Sequence, residues 1–242
     1  MELTLNPLLI DKPKGITSFG VVNEFKKLLP RGAKIGHAGT LDPVATGLLL
    51  VLIGREQTRD QDKFMNLTKE YEAEIKFGVR TNTYDLDTNA VLEYTKNEKE
   101  LADLDIEKVI NEVNKNFLGE IKQQVPAYSA VKVKGKKLYE QARKGVEIGK
   151  PTKQVVIDKF EIINFKNPFK IGEIGKLDEM PELNGVLTVS KGTYIRSIAN
   201  DLGQNLGVFG VLSNLRRIRI GNYMVNDALT IDEAKALILN SF

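Results

Sequence analysis

The sequence predicts an α+β protein, a sheet with flanking helices. Three observations lead there. Residues 71–79 alternate, with Tyr71, Ala73, Ile75, Phe77 and Val79 on one face and Glu72, Glu74, Lys76 and Gly78 on the other, the pattern of a half-buried strand. Residues 48–53, Leu-Leu-Leu-Val-Leu-Ile, are apolar without interruption and read as a central strand buried on both faces. Strand candidates outnumber helix candidates and do not alternate regularly with them, which argues against a doubly wound parallel sheet.

In chain order, Leu8-Leu9-Ile10 opens as a short strand and Asp11-Lys12-Pro13-Lys14-Gly15 reads as a turn. Thr17 or Ser18 can cap a helix carrying Val21, Phe25 and Leu28, with Val22 and Leu29 alongside, ended by Pro30-Arg31-Gly32. The stretch from Gly36 to Gly47 is rich in turn formers and reads as a loop feeding the buried strand. Residues 80–100 are polar and read as looped. Asp105 can cap a helix bearing Ile106, Val109, Ile110, Val113 and Phe117, closed by Gly119. Residues 155–163 and 185–189 read as strands, and Ile198, Leu202 and Leu206 give a helix after Tyr194. Thr230 with Glu233 forms a capping box for a last helix carrying Ala234, Leu237 and Ile238.

Composition narrows the chemistry. At 242 residues the chain makes one large domain or two small ones, and 42% hydrophobic with 28% charged residues is the balance of a folded core. The absence of cysteine excludes disulfide scaffolds, zinc ribbons, iron–sulfur clusters and thiol nucleophiles. With His37 as the sole histidine, a multi-histidine metal site is excluded, while a carboxylate site for magnesium or calcium stays open. The N-terminus lacks a basic stretch followed by an apolar one, and no apolar run approaches the ~20 residues that span a bilayer. A soluble cytoplasmic protein without membrane contact is expected.

The net charge of +3 says little; its distribution says more. Residues 122–153 hold nine cations, among them Lys132, Lys134, Lys136 and Lys137, against Glu140 and Glu147, a local charge of +7. Tyr128 and Tyr139 are interleaved with them. Cations beside stacking aromatics suit a nucleic-acid backbone and its bases; a solvated surface hairpin is the plainer alternative. Asp42 lies in a glycine-bracketed loop before the buried strand, and Pro43 restricts it to extended geometry, although an Asp-Pro pair also simply starts turns. His37 can satisfy loop backbone or stack on a base. Lys12 and Lys14 can meet phosphate or water. Tyr194 and Arg196 sit near a helix N-terminus, where a cation is unneeded, so Arg196 is expected to pair with a buried carboxylate.

Together these segments resemble the TruB family, the bacterial tRNA pseudouridine-55 synthases. Gly36-His37-Ala38-Gly39-Thr40-Leu41-Asp42-Pro43-Val44-Ala45-Thr46-Gly47 is similar to its catalytic loop, and Lys12-Pro13-Lys14-Gly15-Ile16-Thr17-Ser18 to its N-terminal motif. Lys69-Glu70-Tyr71-Glu72-Ala73 resembles its active-site tyrosine strand. Pro126-Ala127-Tyr128-Ser129-Ala130-Val131-Lys132 and Gly135-Lys136-Lys137-Leu138-Tyr139 resemble its RNA-gripping insertion. Residues 191–197 and Leu215-Arg216-Arg217 complete the order, and the likeness covers about residues 8–223.

The resemblance implies the pseudouridine synthase fold, a mixed, largely antiparallel sheet with flanking helices. It implies one catalytic domain over 1–242 with an RNA-binding insertion at about 122–153. Uridine 55 in the T-loop of tRNA would become pseudouridine, with Asp42 as nucleophile, Tyr71 stacking on the flipped base and Arg196 keeping the aspartate charged. His37, Tyr194 and Leu215 would line the pocket, and Lys12, Lys132, Lys136 and Lys137 would contact substrate. No cofactor or metal is needed, and the partner is the tRNA T-arm, bound by a monomer with no obligate protein partner. Two departures from the pattern follow. Only Met224 to Phe242 lie beyond Tyr223, so the family's C-terminal PUA-type domain is expected to be absent, and residues 164–184 match no family motif and read as a surface insertion. The rivals are a synthase acting on another RNA uridine, a non-catalytic RNA-binding protein, and a glycoside hydrolase with paired carboxylates, which leaves the +7 segment unexplained.

If the basic segment grips phosphates, replacing Lys132, Lys134, Lys136 and Lys137 by Ala weakens RNA binding. It also flattens the plot of log K against log salt by about 0.7–0.9 per lost contact. An unchanged slope in a salt titration would mean a merely solvated hairpin.

Overall fold

A computed structural model describes residues 7–87, 90–129, 131–133, 135–142, 144, 149 and 151–240. Lys134, Arg143, Glu147 and Lys150 of the basic segment lie outside the described residues. The elements in order are β1 (Leu8–Lys12), α1 (Ser18–Lys26), β2 (Ile35–Ala38), β3 (Thr46–Ile53), α2 (Arg55–Arg59), α3 (Gln61–Met65), β4 (Lys69–Phe77), β5 (Val79–Arg80) and β6 (Glu93–Tyr94). They continue with α4 (Glu98–Ala102), α5 (Ile106–Asn116), β7 (Gly119–Gln124), β8 (Lys132–Val133), β9 (Lys136–Lys137), α6 (Leu138–Ala142) and β10 (Thr152–Lys166). The chain closes with β11 (Glu182–Val189), α7 (Ile195–Asn205), β12 (Gly210–Ile220), β13 (Tyr223–Met224) and α8 (Ile231–Leu239). Two compact units divide them: Met1–Glu72 with Leu215–Phe242, and Ala73–Asn214.

In the first unit β3 is the organising strand. β1 runs antiparallel along one edge, from Leu8 opposite Val51 to Lys12 opposite Gly47. The other edge is shared: β2 runs antiparallel against residues 50–53, and β12 pairs parallel at Arg216 with Thr46 and Arg217 with Gly47. Alternation then sorts the apolar run onto two faces. Leu49, Val51 and Ile53 pack with Leu8, Ile10, Val21, Phe25, Ala234 and Ile238, while Leu48, Leu50 and Leu52 pack with Ala38, Ile220 and Val225. The helices that cover the first face begin as expected. Thr17 accepts from the Gly20 N–H at the start of α1, and Thr230 and Glu233 form the reciprocal capping box of α8.

The second unit carries the sheet order β12, β4, β11, β10, β7, with β10 antiparallel to both β11 and β7. Asp105 caps α5 by accepting from Lys108 N–H. The sheet is mixed and largely antiparallel, as expected.

Several expectations are corrected. The stretch around His37 is not all loop, because residues 35–38 form β2 against β3. Asp11 and Lys12 are the end of β1, not a turn. Residues 210–220, not read as a strand, form the long β12. Ile106, Ile110 and Leu237 are exposed; α5 packs through Val109 and Val113, one helical turn apart, and its two isoleucines fall on the margin of that stripe. Residues 164–184 are not a surface insertion throughout: β10 runs to Lys166, β11 starts at Glu182, and Phe169 and Met180 are buried. Within that connection the Asn167 amide nitrogen lies 2.9, 3.3 and 2.9 Å from the carbonyl oxygens of Leu101, Ala102 and Leu104, at the C-terminal end of α4.

A helix end leaves carbonyls without intrahelical partners, and Asn167 serves them. Asn167→Ala should lower stability by about 1–3 kcal/mol in urea unfolding. Asn167→Asp should be at least as harmful, because it accepts where donation is needed. An Asp variant as stable as the native protein would refute this role.

Candidate active site

The loop carrying Asp42 leaves β2 after Ala38 and enters β3 at Thr46, and each peptide beside the aspartate is held by a different group. Ser18 Oγ accepts from the Leu41 N–H at 2.8 Å and donates to the Leu41 carbonyl at 3.1 Å. Beyond the aspartate, the Pro43 carbonyl accepts from the Gly15 N–H at 2.8 Å and from Lys12 Nζ at 3.4 Å. The N-terminal motif and the aspartate loop, far apart in sequence, are thus one hydrogen-bonded unit. Asp42 itself is half-buried, and the Asp42 carbonyl accepts from the Ala45 N–H at 3.1 Å.

Lys12, expected to touch substrate, is fully buried. Its ammonium also donates to the carbonyls of Pro13 at 3.0 Å and Ile16 at 2.9 Å, so its three protons have three acceptors and none is offered to a phosphate. Burial, helped by the Arg217 charge and opposed by that of Asp42, lowers Lys12 to about 8.

Arg217, absent from the sequence-derived site, is buried in the same place. It donates from Nε to the Leu48 carbonyl at 2.7 Å and from Nη2 to the Gly39 carbonyl at 2.9 Å, and its guanidinium carbon lies 6.0 Å from the Tyr71 ring centre. Tyr71 is buried on β4, and Leu215 on β12 accepts from Thr46 Oγ1 at 3.5 Å. His37, on β2, has its carbonyl tied by Gln61 at 2.8 Å. Burial first, and Arg217 second, push His37 below the ordinary imidazole range, which keeps the ring neutral at pH 7. In the first unit Lys12, His37 and Tyr71 therefore lie within the reach of one arginine, whose guanidinium also bonds to the aspartate loop at Gly39.

In the second unit Arg196 lies in the first turn of α7 and is buried. It donates from Nη1 to the Thr83 carbonyl at 3.0 Å and from Nη2 to the Tyr128 carbonyl at 2.7 Å, with Tyr194 5.6 Å from its guanidinium. Tyr194 is the N-cap of that helix, and buried Gln123 holds its backbone from both sides. The Gln123 amide donates to the Tyr194 carbonyl at 3.0 Å and accepts from its N–H at 2.8 Å. Sequence reasoning missed Gln123; its only signal is a polar residue at an inward position of β7. The expected cations Lys132 and Lys137 face each other across the β8–β9 hairpin, with Lys136 beside them. Like charges directly opposite destabilise a hairpin, and the Lys137 ammonium also donates to the Tyr139 hydroxyl at 3.3 Å.

The TruB family pseudouridylate synthase (N-terminal domain) matches residues 26–195. A tRNA pseudouridine synthase B of Chlamydia muridarum is 42% identical over 233 residues, 95% of this chain and 88% of the relative. One of Clostridium kluyveri is 39% identical over 228 residues, 93% of this chain and 70% of the relative. The chain belongs to the TruB family. A solved Cbf5-Nop10-Gar1 complex matches with a TM-score of 0.65 at 26% identity over 97% of this chain, which spans 56% of the chain it matches there.

For this TruB family member the pseudouridine synthase fold is the observed one. Among the described residues no group of three or more His, Asp or Glu side chains is placed to hold a metal ion, and no helix is long and apolar enough to cross a membrane.

Lys12 offers a check on the electrostatics. Its folded value, about 8, lies below the ordinary 10.5, so the unfolded chain binds the extra proton between those limits and stability gains with rising pH there. Relative to Lys12→Met, the native protein should gain up to about 1.4 kcal/mol per pH unit across that window in denaturant titrations. Parallel curves would show that the ammonium is not destabilised by burial.

Proposed function

We propose that the protein isomerises uridine 55 in the T-loop of tRNA to pseudouridine, with Asp42 as the nucleophile. The observation that carries this reading is the aspartate's place in a loop fixed on both sides, in a chain of the TruB family. The protein is a tRNA pseudouridine synthase. The C1′–N1 bond of the uridine breaks, the uracil turns within the site, and C5 bonds to C1′. The proton leaves C5 and N1 ends protonated, so atoms and electrons balance without a redox partner, and cofactor independence is expected. Attack at C1′, attack at C6 and stabilisation of a ribosyl species each draw on the same carboxylate.

The T-loop uridine is stacked and must be extruded, at a cost of a few kcal/mol. Tyr71 stacks on the extruded uracil and its hydroxyl is suited to proton transfer. The neutral, flat His37 ring fills space the base leaves. The family pattern gives Leu215 and Tyr194 as pocket walls and Lys132, Lys136 and Lys137 as contacts to the T-arm backbone. The family pattern gives Arg196 the task of keeping Asp42 charged, which a guanidinium performs well because it never loses its proton. We read residues 1–242 as a catalytic domain with an RNA-gripping insertion, acting as a monomer in the cytoplasm.

Asp42→Asn keeps shape and removes charge, so it should bind RNA normally and form no detectable pseudouridine. Tyr71→Phe should bind normally with a severe turnover defect. Arg196→Lys loses the planar fork and should slow turnover at least about tenfold, about 1.4 kcal/mol of barrier. Single-turnover rates on a T-arm stem-loop, with binding measured separately, decide the matter. Native turnover in Asp42→Asn would overturn the assignment.

A further inference from the structure

β12 meets β3 at a particular place. It pairs with Thr46 and Gly47, while β2 pairs with residues 50–53 of the same strand, and β1 occupies the opposite edge along residues 47–51. β2 and β12 therefore share one edge of β3, end to end, and the aspartate loop must bow outward around the end of β12. At Gly47 the two backbones are so close that a Cβ would stand 2.3 Å from the Arg217 carbonyl oxygen, and φ is +99°. Only glycine fits there.

The Arg217 side chain occupies the mouth so formed. Its hydrogen bonds go to opposite arms: Gly39, the first residue beyond β2, and Leu48, just inside β3. One rigid guanidinium thus fixes both ends of the loop, while its face lies at cation–π range from Tyr71. Burying a full charge for two carbonyl contacts is an expensive way to close a loop, and a neutral side chain could close it at less cost. The arrangement is explained if what matters is the relative placement of the loop and the tyrosine.

We infer that Arg217 is a positioning residue for the reaction, setting the aspartate loop against the Tyr71 ring without touching RNA. This rests on the reading of Asp42 as nucleophile. Lysine keeps the charge but is a point donor that cannot span two carbonyls with a planar fork. Arg217→Lys should therefore turn over at least about tenfold more slowly at saturating T-arm stem-loop, with its Kd within about threefold of native and its Tm nearly unchanged. Gly39→Ala disturbs the same arm through its backbone, because φ is +83°, while an added Cβ would meet Arg217 Nη1 only at an ordinary contact distance of 3.4 Å. It should show the same split between rate and affinity. Native turnover in either variant overturns the inference, as does a rate loss matched by lost affinity or by a large drop in Tm. If Arg217→Lys does not fold, Gly39→Ala alone decides. Asp42→Asn, assayed alongside, separates the two ideas: activity there defeats the nucleophile assignment, whereas an inactive Asp42→Asn beside a fully active Arg217→Lys defeats only this one.

Discussion

A buried guanidinium at the junction of three strands is the constraint on which the first unit turns. β3 exchanges β2 for β12 along a single edge, and the segment that joins β2 to β3 must pass around the incoming strand. That segment is the loop that bears Asp42. Arg217 then closes the gap from inside, bonding to Gly39 on one arm and Leu48 on the other, while Lys12 and Ser18 hold the loop from the N-terminal motif. An aspartate presented this way has little freedom beyond its own side-chain rotation. The nucleophilic role proposed for Asp42 would draw much of its effectiveness from such placement before substrate arrives.

The two cations beneath the loop share an electrostatic logic. Lys12 and Arg217 direct their hydrogen bonds at main-chain carbonyls, so their charge is solvated but not cancelled. A carboxylate partner would have neutralised them and left a dipole. Carbonyls leave a net positive field beside an aspartate and a neutral histidine, in a protein whose overall charge is only +3. Local charge is therefore set by where the cations are, in the hairpin of Lys132 and Lys137 and in this pair beneath the aspartate loop.

What could be read from the sequence was what local pattern controls. The alternation through Tyr71 and Phe77, the apolar run into β3, and the caps at Thr17, Asp105 and Thr230 are each decided by neighbours in the chain, and each is present. The aspartate loop was legible because glycine and proline mark its backbone directly. β12 was missed because an arginine occupies one of its inward positions: Leu215 and Arg217 point the same way, and a buried charge breaks the apolar signature of a strand. Lys12 was misplaced for the related reason that a lysine beside proline and glycine looks solvated until distant carbonyls are brought to it. β2 was missed because its glycine and histidine lack the apolar alternation of a strand and it is held by pairing with β3, while Gln123 depends on Tyr194, far along the chain.

The double pairing of β3 also bears on how this region can diverge. The span from His37 to Arg217 is registered twice, once antiparallel through His37 opposite Val51 and once parallel through Arg217 opposite Gly47. Most surface loops absorb an added or deleted residue by bulging. Here an insertion carried into β3 shifts Leu48, Leu50 and Leu52 to the face now held by Leu49 and Val51, exchanging two packed cores at once. Point substitutions in the loop leave the strand register intact, whereas a change in its length must be contained within residues 40–45 or dismantle the sheet beneath it.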